Sequence, residues 1–469
     1  MHNSVVSKTN LIFDKTRLEK FFYGPFFPIY VALFVTLSFL LNIPFLGLSF
    51  ISLSATVIFL SFKDCSPIFP LLFMVVMVFR DYNVMNEITG YLILLPPAIA
   101  IVTKFFTHPV KNFRPGKLFL PIIGVCFALF LSGMLSNVNN YSKGLVSAVT
   151  IGPVMLIIYV FFSAYVNPPK NFDVKKYISY VLIISGLTVF SHVCIYHMHM
   201  DFYKDNAFSL FYLGWGNVNC AATFLLLSIA ACWYMITQVK NILPFFFILA
   251  LLYLGVLLTY SDGSTGICLI FAPILAFFTY RKLDKYHRRT YIKILFVVIL
   301  TLLTAAIITI VHYDFESLLL SLKPHFSDSS RTKLYQEALD LFAQYPVFGA
   351  GLGYKRPDDF SDLAIFLYNF HSVFFHIIAT MGIIGVIAYV FYYVARFKIL
   401  MEKNTCFSLF MTIAFIMFEC YAFIDVSEFN AIPLMSTVTV LLTVVEFTNK
   451  KSNDEPLPLF MNFYNNVIF

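Results

Sequence analysis

Charge is scarce in this chain. Of 469 residues only 12% are Asp, Glu, Lys or Arg, and 59% are hydrophobic, against about 25% and roughly 45–50% in soluble domains. A solvated globular fold is excluded. So is a nucleic-acid surface, despite the formal net charge of +7, because the basic residues are divided among separate short loops and form no single patch. The eight cysteines (65, 126, 194, 220, 232, 268, 406 and 420) include no C-x-x-C pair and mostly sit in apolar runs, so neither a zinc site nor a disulfide framework is indicated. A cleavable signal peptide is also missing: the first twenty residues hold Lys8, Lys15, Arg17 and Lys20 but no apolar core with a small-residue cleavage site. The first span is therefore expected to stay in the membrane as an anchor. No internal repeat and no low-complexity tract stands out.

What the chain does have is apolar runs close to the length of about 20 residues that a bilayer requires. They fall near 26–42, 44–62, 66–79, 91–106, 118–135, 145–166, 178–197, 207–236, 244–260, 265–280, 294–312, 372–395, 406–424 and 431–447, the third and tenth being short. The expectation is an all-α, polytopic integral membrane protein with about 12–14 transmembrane helices and one long external loop containing an amphipathic helix. Residues 1–312 would hold spans 1–11, 313–370 the external segment, 371–447 the last three spans and 448–469 a cytoplasmic tail. With both termini in the cytoplasm, 24 of the 32 lysines and arginines fall inside, among them those of "KNFRPGK", "KNFDVKK" and "RKLDKYHRRTYIK". The short external loops then hold only Arg80, Lys143 and Lys204, as the positive-inside rule requires, and the other five lie in 313–370.

The external segment contains "SDSSRTKLYQEALDLFAQYPVFGAGLGY". Leu334, Ala338, Leu341, Phe342 and Tyr345 recur at helical spacing, with Ser329 or Ser330 as N-cap. Pro346 ends the helix, and Gly349, Gly351 and Gly353 follow at alternate positions. Their spacing is not the G-x-G-x-x-G of a nucleotide-binding turn. Arg331 falls in the first turn, where helix N–H groups and a guanidinium can hold a phosphate together, or where the arginine pairs with Asp328 or Asp340. His371 stands at the apolar–polar boundary, placed to act as a general base or to bond a headgroup or backbone. His376 reads as a packing residue. Asn217 and Asn219 in "GWGNVN" are candidates for sugar binding or helix capping, and Asp262 in "YSDGSTG" for a carboxylate base or a turn residue. Glu419, inside an apolar run, must be protonated or paired.

In order and spacing, "GWGNVNCAATFLLL", "RTKLYQEALDLFAQYPVFGAGLGY" and "FHSVFFHIIATMGIIG" resemble the O-antigen ligase and polymerase family over residues 207–390. The resemblance implies a membrane glycosyltransferase at the outer face of the cytoplasmic membrane, using a polyprenyl-diphosphate-linked glycan as donor and a glycan or lipid as acceptor. Neither metal nor cofactor is implied. By motif position Arg331 would bind the diphosphate and His371 would be the catalytic base, and the glycines would let the loop turn sharply so that these two residues border one cavity. Family members commonly carry arginine where this chain has Asp262, so a second cation is expected elsewhere, with Lys355 and Arg356 the nearest candidates by sequence and Lys143 and Lys204, on short external loops, the alternatives. The alternative class is a transporter or flippase of a lipid-linked saccharide, with Glu419 and the histidines of "HVCIYHMHM" relaying protons; the inverted repeats that such a protein would show are not visible.

Overall fold

Backbone groups in a lipid environment have no water to bond, so apolar runs of this length are forced into helices. The computed structural model describes residues 15–80, 88–110, 115–134, 141–199, 212–213, 216–312, 329–354, 370–425 and 432–451. A short helix, α1 (Lys15–Phe22), leads into α2 (Phe26–Leu41), α3 (Pro44–Ser61), α4 (Phe69–Met74), α5 (Ile88–Thr107), α6 (Phe119–Met134), α7 (Tyr141–Tyr165) and α8 (Val174–His199). After a two-residue antiparallel ladder of β1 (Tyr212–Leu213) and β2 (Gly216–Asn217) come α9 (Val218–Ile236), α10 (Leu243–Leu258), α11 (Asp262–Lys282) and α12 (Lys285–His312). The surface helix α13 (Ser329–Gln344) precedes α14 (Val373–Met401), α15 (Cys406–Ala422) and α16 (Ile432–Lys451).

Among the described residues, six helices are long and apolar enough to cross a membrane, and six shorter apolar helices accompany them. The all-α polytopic expectation holds, with local corrections. The third run is a short α4 between two 3₁₀ turns, since Pro67 and Pro70 each restart the helix. The tenth is a full 21-residue helix. The helix of the eighth run begins at Val218 and not near 207, with residues 212–213 and 216–217 paired in the ladder.

At the centre lies α9, apolar all round and buried from Cys220 to Ile236. It packs against α8, α10, α11 and α15. The helices have two ends, one where α14 begins (the His371 end) and the other where it finishes. Polar groups, several of them buried, tie the second end together. Glu446 accepts from Tyr159 OH at 2.7 Å and Lys117 N at 2.9 Å, while Lys117 Nζ bridges to Glu402. Asp64 likewise accepts from Tyr23 OH at 2.9 Å and from Asn167 N at 2.8 Å.

Candidate functional site

α14 is not one continuous helix. Gly382 interrupts it at φ 59°, ψ −153°, nine residues in and therefore about 13 Å below its start at 1.5 Å per residue. A break at that depth orphans backbone groups, and the glycine loop that follows α13 supplies their partners. Ala350 N and Gly351 N donate to the carbonyls of Ala379 and Thr380 at 2.7 and 3.1 Å, and Ile383 N and Ile384 N donate to those of Pro346 and Val347 at 2.9 and 3.3 Å. The loop thus completes the backbone of α14. Ser132 of α6 adds a hydrogen bond to Thr380 O at 2.6 Å. Gly349 and Gly351 have positive φ (72° and 95°), and a Cβ at Gly349 would overlap backbone atoms of Thr380 and Met381. A Cβ on Gly144 of α7 would come within 2.8 Å of Gly353 N. The three glycines permit interpenetration of two backbones, a closer fit than a sharp turn at the membrane face.

This insertion fixes what lies above it. Ala338 and Leu341 of α13, Ala350 of the loop, Phe370 and Ala379 form a small apolar core joined by Phe375 and Tyr345. Tyr335 stacks on Phe375 with ring centroids 4.3 Å apart and donates its hydroxyl to His371 O at 3.2 Å. Arg331, half-buried, lies one turn before Tyr335 on the same face of α13. The sequence-predicted pair therefore belongs to two elements that are docked directly on one another.

His371 has φ 48°, a left-handed conformation that a non-glycine residue holds only when its surroundings impose it. Its imidazole Nδ1 is 3.5 Å from Oδ1 of Asp425, which follows α15 and is buried. Asp425 Oδ2 accepts from Asn219 Nδ2 in the first turn of α9, and Asn219 Oδ1 accepts from Ser261 Oγ at 3.2 Å. The Ser261 hydroxyl also meets Tyr421 OH at 3.1 Å and Ser264 Oγ at 3.2 Å. Side chains of α9, of α15 and of the segments flanking α11 and α15 thus form one hydrogen-bonded network, and its Asp425 lies beside the His371 imidazole. An imidazole with a carboxylate beside Nδ1 is set up to accept a proton at Nε2.

Asn219 joins the site, and Asn217 lies in β2 beside it in sequence. Asp262 is exposed in the first turn of α11, where a carboxylate suits the helix dipole, while the neighbouring Ser261 is the residue that enters the network. Lys355 and Arg356 lie outside the described residues. His376 is buried, as a packing residue should be. Asp425, Ser261, Tyr421 and Tyr335 were not expected from the sequence; the available signal for Asp425 was an acidic residue just beyond the end of an apolar run.

Glu419 is paired. Its Oε1 lies 2.5 Å from Nη2 of Arg396, whose guanidinium is packed among the rings of Tyr392, Tyr393 and Phe415 at 5.0–5.2 Å. Arg396, counted with the inside loops by charge distribution, is 1% exposed within α14.

The model of the O-antigen ligase family matches residues 245–390, from α10 through the break in α14. No curated protein and no solved structure matches the chain. The matched stretch contains α13, the glycine loop and His371, whereas Asn219 and Asp425 come from helices on either side of it. The chain is an integral membrane protein whose residues 245–390 match the O-antigen ligase family model, a match that supports a glycan-transferring role in polysaccharide assembly.

Proposed function

We propose that the protein transfers a glycan from a polyprenyl-diphosphate-linked donor to a hydroxyl of a glycan or lipid acceptor at the outer face of the cytoplasmic membrane. His371 Nε2 takes the proton of the acceptor hydroxyl as that oxygen bonds to the anomeric carbon. The bond from the anomeric carbon to the phosphate oxygen breaks, and its electron pair leaves on the diphosphate. Asp425 orients the imidazole and offsets the charge it gains, and Asn219 and Ser261 hold Asp425 in place. Arg331, in the first turn of α13, stabilises the departing diphosphate, an electrostatic contribution of several kcal/mol.

The observation that carries this reading is the left-handed His371 backed by a buried carboxylate. Proton relay through Glu419, as a transporter would need, finds less support, because Glu419 is engaged by Arg396. Transfer from purified lipid-linked donor in nanodiscs is the test. His371→Ala should lose about 10²–10⁴ in kcat, the usual range for a general base, and Asp425→Asn should lower kcat with little change in KM. Full activity in His371→Ala would overturn the mechanism.

A further inference from the structure

The His371 carbonyl lies one residue outside the backbone ladder of α14, whose first bond runs from His376 N to Ser372 O at 2.8 Å. A side chain of another helix reaches it: Tyr335 OH of α13 donates to His371 O at 3.2 Å. The tyrosine ring is itself held, stacked on Phe375 in the first turn of α14 with the two planes 11° apart. Three residues further along the same face of α13, Ala338 is buried in the small core. The hydroxyl is therefore delivered by a docked surface and not by a swinging side chain.

The neighbours of His371 are fixed on both sides. Phe370 is buried within that core, and Ser372 is buried in an extended conformation at φ −166°, ψ 130°. Between them His371 is left-handed, a backbone that a residue with a side chain leaves when it is released. Rotation at this one residue would swing the imidazole away from Asp425 Oδ1, now 3.5 Å from Nδ1, and a displacement of about 1 Å is enough to impair a reaction. By holding the carbonyl, the tyrosine O–H opposes that rotation. Since Arg331 stands one turn earlier on α13, the helix that carries the arginine also sets the histidine.

Resting on the glycosyl-transfer reading above, we infer that Tyr335 is a positioning residue whose hydroxyl holds His371 in the left-handed conformation that keeps its imidazole beside Asp425. Tyr335→Phe tests this directly, since it retains the stack on Phe375 and removes only the donor. Assayed in nanodiscs with purified lipid-linked donor, it should lower kcat about tenfold, the contribution of roughly one hydrogen bond. Both KM values should stay within about twofold, and the melting temperature should stay at that of the wild type. Asp425→Asn removes the carboxylate that the imidazole is held against, so adding Tyr335→Phe to it should cost no more than about a further twofold. A tyrosine that only fastened α13 to the bundle would multiply the two losses instead. A second readout does not depend on transfer. His-Ser occurs once in the chain, at 371–372, so carbonyl-labelled histidine with nitrogen-labelled serine gives one correlation in solid-state NMR, and it should move in Tyr335→Phe. Wild-type kcat in Tyr335→Phe, a loss confined to KM, or multiplied losses in the double variant would overturn the positioning role. An unmoved correlation would overturn the bond itself, whereas full transfer by His371→Ala together with a moved correlation would overturn the base and leave the bond without a catalytic purpose.

Discussion

Replacing Gly349 by alanine should damage the protein far more than a glycine-to-alanine change ordinarily does. At φ 72° an alanine pays about 1–2 kcal/mol for the left-handed backbone alone. The larger cost is steric. The new Cβ would overlap the backbone carbon of Thr380 and nitrogen of Met381, atoms that cannot rotate away. Relief requires the loop to withdraw by about 1 Å, which breaks the bonds from Ala350 N to Ala379 O and from Gly351 N to Thr380 O. Each orphaned buried group costs about 1–3 kcal/mol. Even with half of them re-satisfied, the sum is roughly 3–8 kcal/mol, comparable to the total stability of many proteins. Gly382→Ala should behave alike, since its Cβ would lie 2.6 Å from Pro346 O and Val347 O. Gly266→Ala is the control: nothing lies within 4 Å of its added Cβ inside α11, so it should be neutral or stabilising by up to about 1 kcal/mol. Fluorescence-detected size-exclusion chromatography after graded heating in detergent would rank the three. A Gly349→Ala protein as heat-stable as wild type would refute the interpenetration argument.

Other outcomes are expected. Arg396→Met should destabilise by about 3–5 kcal/mol by stranding Glu419, and Arg396→Met/Glu419→Leu should recover most of that loss, as judged by melting in detergent; a double variant no better than the single would show that the pair is not the cause. Arg331→Lys should transfer glycan poorly, because a point charge does not reproduce the fork that grips a diphosphate; wild-type kcat/KM would count against Arg331 as the diphosphate ligand. Reporter fusions after Lys323 and after Lys403 should report opposite sides of the membrane, and same-side signals would overturn the outward-facing site. Lys355→Ala/Arg356→Ala should weaken donor binding at moderate ionic strength, and unchanged donor affinity would place the second cation elsewhere.

The spans were legible because each is a run of apolar residues, a one-dimensional property. Helix α13 was legible from its spacing, and with it the position of Arg331 in the first turn. His371 could be placed at the start of a span for the same reason. The break in α14 could not be seen, since "ATMGIIGVIAY" reads as unbroken apolar helix and the groups that compensate it lie some thirty residues upstream. Arg396 was misplaced because a charge ends an apolar run on paper, whereas the helix continues to Met401 and the neutralising partner belongs to another helix. The network behind His371 escaped for a similar reason: Asn219, Ser261 and Asp425 are far apart in sequence, and only packing around α9 brings them together.

The shared backbone of the glycine loop and α14 has a consequence for biosynthesis. When α14 enters the bilayer without the loop, its Ala379 and Thr380 carbonyls lack the donors, and its Ile383 and Ile384 amides the acceptors, that the loop supplies, and bare hydrocarbon would penalise all four. Lateral release of this helix from the insertion machinery should wait until residues 346–351, already made, have threaded back into the gap. A nascent chain stalled before Thr380 would then hold that loop accessible to cysteine-directed reagents placed at Val347, and one stalled after Met401 would shield it, so that the order of synthesis becomes the order in which the site is built.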